Sequence, residues 1–460
     1  GVERIHTGAL DVLAETGAMF HSDRALDVLQ AHGAAVDRET TVARIPADLV
    51  ERALSTVPGS FTLGGRERAY DLPLDGEHVY LASDGCATLV REPDGAVRAS
   101  VKQDVYDAAR VVDGLDNLSA TSALVSAQDT PEESRVLHEF DACMRASRKH
   151  SIVVSMKDAA EARALLRMAE AVAGGSAELS ARPVFSAILC TVSPLHMERS
   201  GMELAFELAE AGIPLLLYPM PILGATSPVT PAGAAVVGAA EILAAVTAIQ
   251  LACPGARLVH AGGPTALYMR TGSYFANVPE ALLLRALQSQ MARRWGLPAG
   301  LGWGGTKAKR PDAQSAYENT LGLVLGLAYV FTFNSANNLM GALYGSAALL
   351  ALCNYYHYHT QGYVAMMTGM RNVPTNLEDA TTVLGGGTAR ILRDVYWPAI
   401  QTTLLSVGVF LFMRSMVTLS AIIFLITPAM SLGAVSVMRL DEAGFTSQAA
   451  AFSTCIMALV

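Results

Sequence analysis

The stretches 183–190 (PVFSAILC) and 213–218 (IPLLLY) decide the fold, because each is an uninterrupted apolar run with a helical pattern between them. A strand that is buried on both faces of a sheet needs continuous Val, Ile and Leu rather than alternation. Outward from these two, similar runs occur at 118–126 (LSATSALVS), 151–155 (SIVVS), 257–260 (RLVH) and 298–303 (PAGLGW). The sequence therefore predicts six buried parallel strands within residues 117–326.

Helical patterns separate these runs, at 158–173, 198–211, 232–251 and 279–295. Six strand–helix units favour an α/β TIM-type barrel over an open doubly wound sheet, which the pattern alone does not exclude. A closed barrel needs eight units, so this barrel is expected to be incomplete, with two strand edges left unpaired. Residues 1–116, with turn signals at Pro58, Gly64 and Pro93, predict an α+β N-terminal extension.

The distribution of charge divides the chain at Glu318. Only five of the 33 Lys and Arg residues and five of the 42 Asp and Glu residues follow it, so the whole net charge of −9 belongs to the first part. An acidic chain without basic clusters does not present a nucleic-acid surface. The six cysteines are scattered without a CxxC pair, which predicts reduced thiols rather than disulfides or a zinc site.

Residues 319–370 form a run of 52 without Lys, Arg, Asp or Glu, and two more uncharged runs follow at 395–413 and 415–438. A helix needs roughly 20 apolar residues to cross a bilayer. The alternative, a buried core helix, is usually shorter and has a polar face. The sequence predicts an all-α transmembrane segment, with the protein held in the inner membrane through residues 319–460 and residues 1–318 in the cytoplasm.

In a TIM barrel the groups that follow the strand ends face the active site. Here those segments are rich in glycine, proline and aromatic rings and contain no HExxH, GxSxG or Walker sequence, so no metal site is predicted and catalytic residues stay unassigned. Residues 300–305 (GLGWGG) fit GxGxxG formally but lack the acidic partner of a dinucleotide site. A glycine-lined barrel mouth explains them better. His196, alone in its loop, is more often a structural hydrogen-bonding group than a ligand contact.

Residues 1–326 resemble the trimethylamine methyltransferase family, the corrinoid-dependent methylamine methyltransferases. The resemblance rests on four stretches: HTGALDVLAETG, SPLHMERSGMELAFELAEAGIPLLLYPMPILGATSPVTPAG, HAGGPTALYMRTG and GLGWGGTKAKRPDAQSAYENTLG. It implies a barrel that binds a methylated amine and passes one methyl group to the Co(I) corrinoid of a separate partner protein, with no cofactor of its own. Because the chain contains no pyrrolysine, the branch without pyrrolysine, which includes glycine betaine methyltransferases, is the nearer analogy.

Aromatic rings suit this chemistry, because a quaternary ammonium already carries a neutral leaving group and the site must chiefly hold and desolvate a cation. The candidates are Tyr218, Tyr268, Phe275 and Trp303. For any single ring, packing in the core or at the rim is the favoured alternative. A betaine carboxylate could be held by Thr306, Lys307, His196 or Arg270.

Residues 327–460 resemble part of an ABC importer permease of the 2-aminoethylphosphonate type. The spacing Asp379-Ala380-Thr381, three residues, Gly385, nine residues, then VYWP ending at Pro398 is similar to the EAA loop of that family, with Asp replacing Glu and Trp replacing Leu. The resemblance implies that this loop docks into an ABC ATPase subunit. Arg371, Arg390 and Arg393 fit a cytoplasmic loop. Arg414 belongs near an interface or against a protein partner, and a loop position between two short helices explains it equally well.

The two resemblances meet near residues 322–328 without a linker. Three hypotheses follow: a methyltransferase-family enzyme joined to part of a permease, a membrane component of a transporter for a small solute, or a non-functional chimera of two truncated genes. The third is the favoured account of the junction itself. One continuous genomic read across codons 320–330 would support a real gene.

Overall fold

The computed structural model describes residues 1–92, 94–268, 273–275, 279–300 and 387–417, together with isolated residues between 302 and 454. The chain divides into two compact units, Gly1–Asn334 and Ser335–Val460. All the described strands lie in the first unit.

The amino-terminal region combines helices with a small sheet. Its elements are α1 (Val2–Asp11), a π-helical turn (Val12–Thr16), β1 (Ala18–Phe20), α2 (Asp23–Ala31), β2 (Ala35–Asp37), β3 (Val42–Arg44) and α3 (Ala47–Leu54). Ser22 begins α2, because its hydroxyl accepts a hydrogen bond from the amide of Ala25 at 3.1 Å. β1 pairs antiparallel with β3 and parallel with a short strand from much later in the chain, β11 (His196–Met197).

Two hairpins and a helix complete this extension. The hairpins are β4 (Phe61–Leu63) with β5 (Leu72–Leu74) and β6 (Leu89–Arg91) with β7 (Val97–Ala99), and the helix is α4 (Lys102–Asp113). Leu63 and Leu72 of the first hairpin pack against Ala120. The extension is therefore α+β, as the sequence predicts.

The centre of the first unit is a parallel sheet whose strand order follows the chain. It consists of β8 (Ala120–Ser122), β9 (His150–Val153), β10 (Phe185–Cys190), β12 (Leu215–Tyr218) and β14 (Leu258–His260). Strictly sequential parallel strands form the wall of a TIM-type barrel, whereas a doubly wound sheet reverses its order partway. Five of the six predicted strands are confirmed. The sixth run, 298–303, contributes a single described bridge, between Ala299 and His260.

The edge of the sheet at β8 differs from the prediction of an unpaired edge. Ala82 bridges Ala120 and Ala87 bridges Val125, both in parallel orientation. The amide of Ser126 donates to the carbonyl of Ala87 at 2.8 Å. A segment of the extension with little apolar sequence, residues 82–87, lies alongside β8. It covers a strand edge that was expected to be unpaired.

Helices alternate with these strands and bury the outer face of the sheet. They are α5 (Arg135–Ala146), α6 (Ala159–Ala173), α7 (Ser176–Ala181), α8 (Arg199–Glu210), α9 (Pro231–Ala252) and α10 (Pro279–Arg294). All four predicted helices are confirmed, with their ends within one residue of the predicted positions.

Among the described residues, one helix has the length and hydropathy to cross a bilayer, and it is α9. Of its most apolar 18-residue window, 78% is buried inside the protein. Because most of its apolar surface is buried, α9 is a helix of the hydrophobic core. It packs against α1, α2 and α3 of the extension and against β12.

Three short strands after β12 were not predicted: β13 (Ile222–Leu223), β15 (Thr265–Tyr268) and β16 (Ser273–Phe275), which form one sheet. In the second unit the described elements are α11 (Thr388–Ile391), a π-helical turn (Leu392–Tyr396) and α12 (Trp397–Val417). Most of the predicted span 395–413 falls in α12. The predicted spans 319–370 and 415–438 lie almost entirely outside the described residues.

Candidate functional site

The register of the parallel sheet separates its two faces. Ala187 pairs with Leu215, and Leu215 pairs with Leu258. All three belong to the hydrophobic core beneath the helices. Because side chains alternate along a strand, the neighbouring positions point to the opposite, interior face. That face includes Ser186, Ile188, Leu216 and Val259.

Cys190 and Tyr218 are the last residues of β10 and β12, and they pair with each other in the register. Both lie on the interior face by the same alternation. The carboxyl ends of parallel strands carry the active site in TIM-type barrels. These two side chains therefore lie side by side at the mouth of the barrel.

Two glycines lie beside the ring of Tyr218, and one of them, Gly262, makes room for it. A Cβ atom at Gly262 would lie 2.7 Å from Cδ1 of Tyr218 and 2.5 Å from the carbonyl oxygen of Pro219, and one at Gly302 would lie 3.4 Å from Oη of Tyr218. Any side chain at Gly262 would thus displace the ring or the backbone. The half-buried Tyr218 ring spans the mouth between these two glycines.

The thiol of Cys190 is accessible to solvent. Partial desolvation by the surrounding protein atoms nevertheless raises its pKa. At neutral pH it is therefore a protonated, weakly nucleophilic group at the mouth. At the end of β9, Sγ of Cys86 lies 3.0 Å from Oγ of Ser155.

The loop that follows Cys190, residues 191–195, is fixed by a buried carboxylate. Oε2 of Glu241 in α9 accepts hydrogen bonds from the hydroxyls of Thr191 at 2.6 Å and Ser193 at 2.9 Å, and Oε1 accepts one from the amide of Leu195 at 3.0 Å. Burial raises the pKa of Glu241, while these hydrogen bonds act in the opposite direction. This loop, called the β10–β11 loop below, leads into His196.

At the amino-terminal end of the sheet, His150 is fully buried and fully bonded. Its Nδ1 lies 2.9 Å from the carbonyl oxygen of Gly64 and its Nε2 lies 2.9 Å from Oγ of Ser186. Burial lowers its pKa to about 4. Since Gly64 follows β4, the β4–β5 hairpin covers this end of the sheet.

Behind the mouth, a small cavity separates α9 from α10. Its lining includes His260, Gly263 and Gln288. Among the described side chains, Nδ1 of His260 and Nε2 of Gln288 are buried without a hydrogen-bond partner. Burial lowers the pKa of His260 to about 4, so the ring is neutral. A Cβ atom at Gly263 would overlap the amide of Gln288.

The predicted substrate residues have different positions. Tyr218 lies at the mouth. His196 lies in β11, where its ring packs edge-to-face on His21 with centroids 5.8 Å apart. Thr306 is half-buried, and its hydroxyl accepts a hydrogen bond from the amide of Ala308 at 3.0 Å.

The other predicted contacts lie outside what the structure describes. Tyr268 and Phe275 occupy β15 and β16, whose side chains at these positions are not among those described. Trp303, Lys307 and Arg270 are outside the described residues, as are Asp379, Ala380 and Gly385 of the proposed docking loop, whereas Pro398 is exposed in α12. The clustering of four aromatic rings therefore stays a prediction.

Sequence reasoning missed Cys190 and Glu241. The sequence places Cys190 at the end of a predicted strand, but nothing in it distinguishes this thiol from the other five cysteines. Glu241 is the one ionisable residue in the apolar sequence of α9, and that isolation was the available signal. Among the described residues, no group of three or more His, Cys, Asp or Glu side chains is arranged to hold a metal ion.

Known proteins match the first unit and the start of the second. The family model of trimethylamine methyltransferase (MTTB) covers residues 1–348. Trimethylamine methyltransferase MttB of Desulfitobacterium hafniense (strain DSM 10664 / DCB-2) is 33% identical over 340 residues, which are 74% of this chain and 67% of that protein. Glycine betaine methyltransferase of Desulfitobacterium hafniense (strain Y51) is 26% identical over 324 residues, 70% of this chain and 67% of that protein.

A crystal structure of Methanosarcina barkeri monomethylamine methyltransferase covers 70% of this chain and 85% of its own, with a TM-score of 0.39 and 12% identity. The family match runs past residue 326, the predicted end of the barrel, to residue 348. These relatives are all methyltransferases. The permease resemblance, its ATPase partner and the membrane location stay predictions.

Proposed function

Because the chain belongs to the trimethylamine methyltransferase family and is an enzyme of that family, we propose that it takes a methyl group from a trimethylammonium compound of the glycine betaine class. The acceptor is the Co(I) corrinoid of a partner protein, as the family resemblance implies. The observation that carries the substrate class is Tyr218, an aromatic ring at the barrel mouth with glycines on two sides.

The chemistry of a quaternary ammonium explains why such a mouth suffices. Loss of one methyl group releases a neutral tertiary amine, so no general acid is needed to protonate the leaving group. The chain must bind the cation, turn one methyl group outward and exclude water. The face of an aromatic ring attracts a trimethylammonium group by about 0.5–2 kcal/mol, and more when the site is dry.

The described mouth fits these requirements. Ile188, Leu216 and Val259 form an apolar layer directly below Cys190 and Tyr218 on the interior face. An apolar floor removes water from the ammonium, and the protonated Cys190 thiol is neutral and adds no charge to the mouth. Tyr268, Phe275 and Trp303 are the further rings that we propose for the cation, and Thr306, His196, Lys307 and Arg270 are the proposed groups for the carboxylate.

Calorimetric titration of the full chain tests the proposal. We expect glycine betaine to bind more tightly than 3,3-dimethylbutyrate, the neutral-carbon isostere with the same carboxylate. Replacing Tyr218 by Ala should weaken betaine binding by roughly 1–2 kcal/mol and leave isostere binding much less affected. The matched control is Tyr218→Phe, which keeps the ring face and should bind betaine nearly as the parent does. Equal affinity of the parent for betaine and its isostere would remove the cation-recognition argument.

A further inference from the structure

A single carboxylate interrupts the most apolar helix of the first unit. The 22 residues of α9 contain one ionisable side chain, Glu241, and that residue is 0% exposed. A charge withdrawn from water is unfavourable unless strong local interactions offset its desolvation. A buried carboxylate in such a helix therefore calls for a specific role.

The partners of Glu241 are neutral donors that all come from one loop. Thr191, Ser193 and Leu195 occupy alternate positions of the β10–β11 loop and together engage both carboxylate oxygens. An ionised carboxylate accepts hydrogen bonds and donates none, so this set of donors matches the charged form. The helix thus fixes the loop at three points rather than one.

The loop needs such a support because its backbone is bent sharply. Val192 and His196 exchange both of their backbone hydrogen bonds, at 2.9 and 3.0 Å. Leu195, which is not a glycine, has a φ of 61°, in the left-handed region that L-residues avoid. Its amide is the one bound by Oε1 of Glu241.

The same loop begins at the mouth. Thr191 directly follows Cys190, which pairs in the register with Tyr218. A shift of Thr191 would therefore move the strand end beside the ring to which we assign the cation. Misplacement of a binding group by about 1 Å can cost two orders of magnitude in rate.

We propose that Glu241 is a positioning residue, which fixes the β10–β11 loop and so sets the wall of the substrate mouth beside Tyr218. The proposal rests on the proposed function for the identity of the ligand. It assigns Glu241 no contact with the substrate and no role in the chemical step. Because Glu241 acts through geometry, its removal should weaken the binding of betaine and of its neutral isostere by similar factors.

The test compares three full-chain variants. Glu241→Ala removes every acceptor, Glu241→Gln keeps an acceptor for the amide of Leu195, and Thr247→Ala is the matched control. Thr247 is buried in the same helix, and its hydroxyl bonds within the helix to the carbonyl of Leu243 at 2.7 Å. Titration of the folded fraction should show a Kd for glycine betaine raised on the order of tenfold in Glu241→Ala. Glu241→Gln should recover most of the affinity, and Thr247→Ala should match the parent.

A second measurement separates this proposal from the proposed function. Hydrogen exchange of the peptide 191–196 should accelerate on the order of tenfold in Glu241→Ala and not in Thr247→Ala, whether or not betaine binds. If Glu241→Ala fails to fold, the double variant Thr191→Val, Ser193→Ala removes two of the donors without altering α9, and the same faster exchange is expected.

Three results would overturn the proposal: unchanged exchange of the loop, unchanged Kd in the folded Glu241→Ala protein, or a loss in Glu241→Gln that affects betaine but not the isostere. The last result would mean that the charge itself attracts the cation. Failure of the parent to bind betaine, with the faster loop exchange still seen in Glu241→Ala, would contradict only the proposed function.

Discussion

At the amino-terminal end of the parallel sheet His150 has a hydrogen-bond partner on each ring nitrogen, whereas at the carboxyl end His260 has none on Nδ1 among the described residues. The first end is closed by the β4–β5 hairpin, and the second opens at Cys190 and Tyr218. Both histidines are buried, and burial lowers the pKa of each to about 4. The two histidines therefore differ in how well their ring nitrogens are satisfied, and the two ends differ in whether they are covered.

The covered end and the open end of this one sheet are expected to serve stability and function, respectively. Buried polar groups that find partners contribute to a single well-defined fold, and each one left unpaired costs about 1–3 kcal/mol. In TIM-type barrels the amino-terminal face carries stability and the carboxyl face carries the site. We expect substitutions at the closed end to change the free energy of unfolding and substitutions at the mouth to change binding.

The largest expected effect is that of His150→Ala. The change leaves the carbonyl of Gly64 and the hydroxyl of Ser186 without their partner and opens a cavity beneath the hairpin. Together these should lower the free energy of unfolding by roughly 3 kcal/mol. Denaturant unfolding followed by circular dichroism measures it.

Tyr218→Ala is the matched comparison at the mouth, because Tyr218 has a half-buried ring and is the last residue of a strand in the same sheet. Its effect on unfolding should be clearly smaller than that of His150→Ala, while its effect on betaine binding should be larger. Equal losses of stability at the two positions would contradict the division between closed end and open mouth.

The second prediction concerns acid. His150 and His260 have folded-state pKa values of about 4, against an ordinary value of 6.5. In the unfolded chain both rings take up protons near pH 6.5, so the unfolded state binds more protons in the window from 6.5 down to 4. Stability is therefore fully present above pH 6.5 and falls as the pH is lowered through this window, by about 1.4 kcal/mol per pH unit for each histidine.

Unfolding free energies measured at several pH values between 7 and 4 check this slope. His260→Phe removes one of the two titrating rings while keeping an aromatic side chain beside Trp295, which lies 5.5 Å from the histidine ring between centroids. We expect that variant to lose about half of the slope that the two histidines produce. An unchanged slope would mean that His260 does not resist protonation.

The sheet was predictable from sequence because its strands are continuous apolar runs. PVFSAILC and IPLLLY correspond to β10 and β12, and the intervening helical pattern corresponds to α8 within one residue at each end. The cover of the β8 edge was not predictable in this way. Ala82 pairs with β8 and Ala87 pairs with Val125 just beyond it, both through backbone groups, and backbone pairing leaves no periodic signal in side-chain polarity.

The mouth was predictable only in part, for a related reason. Tyr218 is the last residue of an obvious apolar strand, so its position at a strand end could be read from the sequence. The role of Glu241 depends on a loop that precedes it by about 50 residues, and its hydrogen bond to Ser193 spans 48 positions. The sequence predicts a lone loop histidine at His196, whereas β11 joins the amino-terminal sheet through a pairing with Met19 that no local pattern indicates.

The smallest expected effect is on the rate at which Cys190, at the mouth, reacts with a thiol reagent. Its thiol is accessible, but its raised pKa keeps the thiolate fraction at pH 7 below that of an ordinary cysteine. Iodoacetamide should therefore label Cys190 slowly at pH 7, and the rate should keep rising at pH values above the ordinary thiol pKa of about 8.5. Peptide mass spectrometry identifies the labelled residue.

The buried Cys143, whose pKa is raised by burial to about 12, is the internal control and should stay unlabelled in the folded protein. Because Cys190 pairs in the register with Tyr218, bound glycine betaine should slow its labelling by a small factor and leave the labelling of Cys86 less affected. Protection of Cys86 without protection of Cys190 would move the binding site along the mouth toward the end of β9, where Cys86 meets Ser155, and away from the Tyr218 ring. Labelling of Cys190 as fast as a free thiol at pH 7 would show that its thiol is less desolvated than its raised pKa indicates.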